Sequence, residues 1–421
     1  MKVTVLYIGS SLLAPLKNAE RELNRDYNLG LRLAACNFGS PLSDSEWVAV
    51  ENDLKDADVV FVIHVMDGEN AARLIPALEE YRTRHAAVIV INCMPDLMRR
   101  TRMGRLDVSR LAGAAEQGNG EKGKGQTERK RTRKALGLLT AAGSWVGRQV
   151  KRSKVQNGHK HGHGQYLKFI DKLPGILRFV PTAGGLRDVK HYLNIFCYFL
   201  QPTPANIRSM ILYALKQYVP DDRLTKAKIK IPPPQHMPSV AIYHPDSAKL
   251  FETFEEYREW YTNRSGASKV QRTNSTNPLL DPGSTIGLLL MRPQVVSKTT
   301  RHYDALLRAI EAEGLSVIPA LSTLMDNREA CEKFFVENKD SKVQSPTPKP
   351  KTKDQRPKAA RQGTDNGPLP SDRSRISQIV SLTGFSFVGG PAMNDSEAAA
   401  EFLQSLNRPY RSAVSLDMQT I

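Results

Sequence analysis

Three histidines alternate with other residues in GHKHGHG, at His159, His161 and His163. In an extended chain that spacing turns all three imidazoles to one side, where they could hold a metal ion. The intervening glycines work against this, because a metal site needs partners that orient each ring, and a flexible loop supplies them poorly. A solvated loop with incidental metal affinity is the plainer reading. A second group lies in SLTGFSFVGGPAMND, Ser381 to Asp395. There Gly389 and Gly390, followed by Pro391, would form a tight turn at the carboxyl end of a strand, where open α/β sheets lodge ligands. The same residues also suit a plain strand-to-helix connection, with Asn394 or Asp395 near the next helix cap. Tyr243 and His244, before Pro245, pose a similar choice between a ligand-facing imidazole and a turn histidine held by structural hydrogen bonds. Arg292, just after the run IGLLLM, could bind a carboxylate bidentately or be a solvated strand-end residue.

Other chemistries find no support. The phosphate-loop pattern GxxxxGK[ST] is absent and the glycines of GNGEKGKGQ follow no strand, so the chain is not expected to bind ATP itself. The four cysteines, Cys36, Cys93, Cys197 and Cys331, form no CxxC pair, which speaks against a disulfide framework or a cysteine zinc site and suits a reducing cytoplasm. Lysine and arginine outnumber aspartate and glutamate by 60 to 43, giving +17. Much of that excess sits in Arg99 to Lys160 and Lys339 to Arg375, beside the Gly, Ser, Pro and Gln of poorly ordered chain. The basic runs Arg129 to Lys134 and Lys349 to Lys358 lack interleaved aromatics for base stacking, so no nucleic-acid partner is expected. No apolar run is long enough for a transmembrane segment, and the amino terminus has no signal-peptide pattern.

The elements that must position these residues follow from periodicity. Within residues 1–113, Val3 to Ile8, Leu31 to Cys36, Val59 to Val65 and Val88 to Ile91 are short β-branched runs of the kind buried in a parallel sheet. Between them, Leu12 to Leu23, Ser43 to Lys55 and Glu69 to Arg84 have helical spacing, and Ser43 with Glu46 matches a capping box. The alternation predicts a doubly wound α/β domain. Residues 114–164 read as a basic flexible insertion, and 165–228 as a helical segment containing Tyr166 to Val180, His191 to Leu200 and Pro204 to Tyr218. Residues 229–284 form a connector opened by the stiff IKIPPPQHMP. A second α/β domain is expected over 285–421, with strands at Ile286 to Met291, Ser316 to Ala320 and Ile376 to Leu382 and helices at His302 to Glu313 and Ser396 to Leu406. The segment 339–375 inside it reads as disordered. The expected class is thus multi-domain α/β, two doubly wound parallel-sheet domains with an intervening helical segment and the last domain cut short.

Several blocks, in order, resemble the large (H) subunit of magnesium chelatase, a member of the CobN/magnesium chelatase family, in its amino-terminal portion. They are INCMPDLMRRTRMGRLDVSRLAG (Ile91 to Gly113), LPGILRFVP with DVKHYLNIFCYFL and the Pro-x-Asn helix (Leu173 to Tyr218), AIYHPDSAKLFETFEEYREWY (Ala241 to Tyr261), Ile286 to Leu321, IVSLTGFSFVGGPAMND (Ile379 to Asp395) and PYRSAVSLDMQT (Pro409 to Thr420). The first is similar to that family's strand, Met-Pro-acid turn and following helix. The two basic insertions are longer than the family pattern. The resemblance implies a protein roughly three times this length, so that the chain is a fragment, a split subunit or a degenerate product and not a complete enzyme by itself.

What the resemblance further implies is ATP-dependent insertion of Mg2+ into protoporphyrin IX for chlorophyll or bacteriochlorophyll synthesis. Separate AAA+ ATPase partners, the I and D subunits, would use the ATP, and a separately encoded carboxy-terminal remainder would carry the catalytic groups. On that reading Tyr243, His244, Arg292, Gly389 and Gly390 are tetrapyrrole-side candidates, Arg292 for a propionate, and this chain contributes no catalytic residue. The alternatives are a cobaltochelatase large-subunit relative acting on a corrin precursor, and a non-catalytic tetrapyrrole-binding module.

Overall fold

Every residue of VVFVI and AVIVI is buried, which requires both faces of the sheet they form to be covered. In the computed structural model, which describes residues 1–9, 11–39, 42–110, 187–226, 229–264, 279–322, 326–337, 374–384, 386–389 and 396–413, they are central strands of the first of two units. That unit is built on Met1–Met237 with Pro293–Thr300, and the second on Pro238–Arg292 and Arg301–Ser415.

In the first unit β1 (Lys2–Tyr7), β2 (Arg32–Asn37), β3 (Val59–Ile63) and β4 (Ala87–Ile91) run parallel in the order β2-β1-β3-β4. Helix α1 (Leu13–Tyr27) lies over one face, where Leu16 and Leu23 meet Val3, Val5, Phe61 and Ile63. Helices α2 (Asp44–Lys55) and α3 (Gly68–Glu80) cover the other, where Trp47, Leu54 and Leu74 meet Leu6, Val60 and Val62. The alternation of Val59, Phe61 and Ile63 against Val60 and Val62 is the two-residue period of a strand divided between two cores. Ser43 caps α2 as expected: its backbone N–H donates to Glu46 Oε2 at 2.7 Å and its hydroxyl accepts from the Glu46 N–H, completing the capping box.

The block from Ile91 has a strand end, a turn at Pro95 and, at 108–110, the start of a helix, with a hairpin between them. One helical turn, α4 (Pro95–Met98), follows β4, and the chain then forms an antiparallel hairpin, β5 (Arg102–Met103) and β6 (Leu106–Asp107), on the sheet edge. Gly104 makes the reversal in the left-handed region, at φ +58°, and lets Met103 and Leu106 reach the core. The helices α5 (Arg187–Leu200) and α6 (Pro204–Tyr218) share the core of α1 and the first sheet. Tyr192 donates from its hydroxyl to the Val90 carbonyl at 2.8 Å. Asp188, buried at the start of α5, accepts from Arg105 N at 2.8 Å and from the Tyr218 hydroxyl at 2.9 Å, tying both helices to the hairpin. The expected helix Tyr166 to Val180 and the insertions at 114–164 and 339–375 lie outside the described residues, apart from Ser374 and Arg375.

The second unit carries a four-stranded parallel sheet, β7 (Thr285–Met291), β8 (Ser316–Ser322), β9 (Gln378–Ser381) and β10 (Tyr410–Ser412), in the order β10-β9-β7-β8. The short strand β10 is additional to the expected strands. Its helices are α7 (Phe254–Asn263), α8 (Arg301–Ala312), α9 (Arg328–Phe334) and α10 (Ser396–Leu406). Gly314, at φ +78°, ends the segment after α8, where a stop was expected. Pro319 sits in the middle of β8 without breaking it. Its carbonyl accepts from Tyr243 N, and Leu321 N donates to Ala241 O, both at 2.8 Å, so the missing proline N–H faces the outer edge and costs no bond to β7.

Candidate functional site

Among the described residues the candidate site residues fall in two places of the second unit. Tyr243 and His244 follow Ile242, which bridges Ala320 on the outer edge of β8. Arg292 directly follows β7 and Gly389 follows Val388, itself bridged to Asp326 beyond the carboxyl end of β8. Gly390, His159, His161 and His163 lie outside the described residues.

His244 is fully buried and both ring nitrogens are engaged. Nδ1 accepts from Asp246 N at 3.2 Å, while Nε2 lies 3.2 Å from Glu311 Oε1 and 2.7 Å from Arg264 Nη1. Glu311 is the hub: besides His244 it takes a bond from the Tyr261 hydroxyl at 2.6 Å and pairs with Arg264. Burial alone would raise its carboxyl, but the hydrogen bonds from His244, Tyr261 and Arg264 outweigh that and hold it at about 2. The Arg264 guanidinium lies 4.2 Å from the Tyr261 ring centre, and the His244 ring 4.9 Å from that of Trp260. Tyr243 donates to Asp304 Oδ1 at 2.7 Å. The network fastens the segment around His244 to α7 and α8, and the imidazole as placed presents no nitrogen to solvent.

The carboxyl edge of the sheet is differently built. β7 connects to β8 on one side and β9 lies on the other, so the strand order reverses between β7 and β9, where open α/β sheets form a crevice. Ser381 and Thr383 stand there with hydroxyls 2.9 Å apart, and Gly384, at φ +74°, turns the chain away. Arg292 is only 8% exposed, and its Nε donates to the Pro238 carbonyl at 2.7 Å. Arg328 pairs with Asp326 at 2.7 Å, and Asn327 Nδ2 holds the Phe387 carbonyl at 2.8 Å while its Oδ1 is buried without a partner. These are hydrogen-bonding groups of the kind that orient a polar ligand. Among the described residues no group of three or more His, Cys, Asp or Glu is placed to hold a metal ion, and no helix is long and apolar enough to cross a membrane.

A family model described as CobN/Magnesium Chelatase matches residues 196–421, more than half of the chain. The chain belongs to that family. A further model, of a domain of unknown function (DUF3479), matches residues 2–193 of this family member. The magnesium-chelatase H subunit of Rhodobacter capsulatus is 25% identical over 422 aligned residues, covering all of this chain and 28% of that protein. The chloroplastic magnesium-chelatase ChlH subunit of Oryza sativa subsp. indica is 26% identical, covering all of this chain and 25% of that protein. The chain thus spans about a quarter of the length of these relatives. A solved structure of the catalytic subunit of cobaltochelatase from Mycobacterium tuberculosis aligns with 98% of this chain and 21% of that one at 12% identity, with a TM-score of 0.36, a likeness too slight to build on.

Sequence reasoning singled out His244 in this CobN/magnesium chelatase family chain but none of its partners. Glu311 stands 67 positions away and Arg264 20, and nothing local joins them. The one available signal was FEEYREWYTNR, where Tyr257 and Tyr261 share a helix face with the first position after the helix basic.

Proposed function

We propose that this chain is part of the tetrapyrrole-handling large subunit of a magnesium chelatase, acting in the cytoplasm on protoporphyrin IX. The observation that carries the reading is the unbroken similarity of the whole chain to magnesium-chelatase H subunits. Inserting the ion means stripping water from Mg2+, which releases it reluctantly, while two pyrrole protons leave. Coupling to ATP hydrolysis by the AAA+ partners, the I and D subunits, supplies the driving force, and the polypeptide making up the other three-quarters of the relatives' length supplies the metal-guiding and proton-accepting groups. The part we assign to this chain is to cover the macrocycle and receive the ATPase partners. The carboxyl edge of the second sheet, with Arg292 and Gly389, and with Gly390 next to it in sequence, is our candidate for the tetrapyrrole side, and Tyr243 and His244 brace it through α8. A second reading, a cobaltochelatase relative acting on a corrin precursor, draws on the CobN part of the family description for residues 196–421. A third is a tetrapyrrole-binding module without catalysis.

Titrating protoporphyrin IX and a metal-free corrin precursor with the purified chain, with ligand fluorescence or absorbance as readout, separates these readings. Preferential binding of the porphyrin, with magnesium insertion once the ATPase partners and the remaining large-subunit polypeptide are added, is the expected result. Preference for the corrin supports the second reading. Porphyrin binding without insertion supports the third, and binding of neither ligand removes all three.

A further inference from the structure

Two tripeptides end adjacent strands of the first sheet, His64-Val65-Met66 after β3 and Asn92-Cys93-Met94 after β4. The register that pairs Ile63 with Ile91 carries on past both strands. His64 N donates to Ile91 O at 3.0 Å, and Met94 N to Val65 O at 3.1 Å. His64 therefore stands beside Asn92, whose Nδ2 lies 3.3 Å from its Nε2, and the same register brings Met66 opposite Met94. His64 and Asn92 both leave their strands in the left-handed region, at φ +59° and +50°, which is uncommon for residues with a side chain. They turn on the carboxyl edge, next to the reversal of strand order between β1 and β3, where open α/β sheets take ligands. His64 is exposed, Met66 is 49% exposed and Met94 is half-buried. Among the described residues His64 Nδ1 has no hydrogen-bond partner.

We propose that His64, Met66 and Met94 form a site for a soft monovalent metal ion, Cu(I). Thioether sulfurs select Cu(I) over the harder divalent ions, and imidazole completes a donor set that suits it. The other metal-binding groups close by in sequence are committed elsewhere. Asp67 caps α3, taking Asn70 N at 2.7 Å and the Asn70 amide at 3.1 Å. Cys93 is 5% exposed and its sulfur takes the Val65 N–H at 3.3 Å. The site is thus short of oxygen ligands for Mg2+ and of a fourth ligand for a closed Zn2+ centre, and it is no way station for the ion that the proposed reaction inserts. Asn92 holds the second ring nitrogen, as the outer partners of ligating histidines do, and an amide can present oxygen there as well as nitrogen. The Phe199 ring, 5.2 Å from that of His64 and at 75° to it, meets the imidazole edge-on.

The test is competition for Cu(I), supplied as its bicinchoninate complex under nitrogen. The full chain used carries Cys36→Ser, His159→Ala, His161→Ala and His163→Ala, which removes other sulfur and imidazole ligands that would compete. One ion bound per chain is expected, with X-ray absorption showing sulfur as well as nitrogen neighbours. Met66→Leu and Met94→Leu keep the apolar volume and remove only the sulfur. Each should weaken Cu(I) about tenfold or more, as should His64→Ala, since losing a ligand costs at least what losing its outer partner does. Mg2+ in large excess should displace nothing. No uptake of Cu(I), uptake unchanged in Met66→Leu and His64→Ala, an absorption spectrum without sulfur, or displacement by Mg2+ would overturn the proposal. Met66 lies at the surface, so if His64→Ala does not fold, Met66→Leu and the absorption spectrum decide it. No porphyrin enters these measurements, and their failure would leave the tetrapyrrole reading standing.

Discussion

Replacing Glu311 by Gln keeps the size of the side chain and removes the charge on which His244, Tyr261 and Arg264 converge. The carboxyl is held at about 2 against an ordinary 4.5, and at 1.36 kcal/mol per pH unit this is a linkage of about 3 kcal/mol in favour of the folded second unit. The side chain is only 17% exposed, so solvent screening removes little of it. An independent route gives a similar size, because the substitution leaves the Arg264 guanidinium, 14% exposed, with Asp246 at 3.7 Å as its remaining carboxylate, and breaking a buried pair costs about 3 to 5 kcal/mol. A depressed carboxyl stabilises fully above its unfolded value and loses that contribution as pH falls toward its folded value. The gap between wild type and variant should therefore be about 3 kcal/mol at neutral pH, hold down to about pH 5, and shrink by about 1.4 kcal/mol at about pH 3.5. Urea unfolding followed by tryptophan emission measures it, since Trp260 packs against His244. A neutral-pH gap under about 1 kcal/mol, or one that stays constant from pH 6 to 3.5, would refute the account of Glu311 as an ionised hub.

Three further outcomes follow from packing. Gly287→Ala places a Cβ 2.8 Å from Ile376 Cδ1 and 2.9 Å from Phe335 Cζ inside the second sheet, and should lower its stability by about 1 to 3 kcal/mol in a denaturant titration. Gly104→Ala forces a left-handed residue at φ +58° and a Cβ within 2.6 Å of the Asp188 carboxylate; a loss of about 2 kcal/mol is expected, with the backbone amide of Arg105 exchanging faster with solvent. Tyr192→Phe removes the hydroxyl that donates to Val90 and leaves that carbonyl buried, so a loss of about 1 to 2 kcal/mol should appear in the midpoint of the first unit.

How much of this was legible in the sequence depended on whether the determining contacts were local. VVFVI and VIVI announced buried parallel strands because both faces of each strand are apolar, and Ser43 with Glu46 announced a helix start because a capping box closes within four residues. Gly104 was open to the same kind of reading, since a glycine between Met103 and Arg105 is a turn signal, yet the hairpin it makes is held by a long-range bond from Arg105 to Asp188, 83 positions away, that no local pattern shows. The candidate sites divide along the same line. Turn chemistry at Gly389 and the strand end at Arg292 can be read from a few residues, whereas the engagement of His244 is set by Glu311 and Arg264, and the ion pairs of Glu79 with Arg100 and of Arg82 with Asp107 exist only because the β5–β6 hairpin folds back beside α3. Counted along the chain, the arginines of MRRTRMGR look like one more solvated basic run. Folded, Arg100 pairs with Glu79 of α3, and Asp107, just beyond the motif in the same hairpin, pairs with Arg82 beyond that helix; these are contacts between distant segments that composition cannot show, and they turn a solvated-looking run into part of the sheet edge.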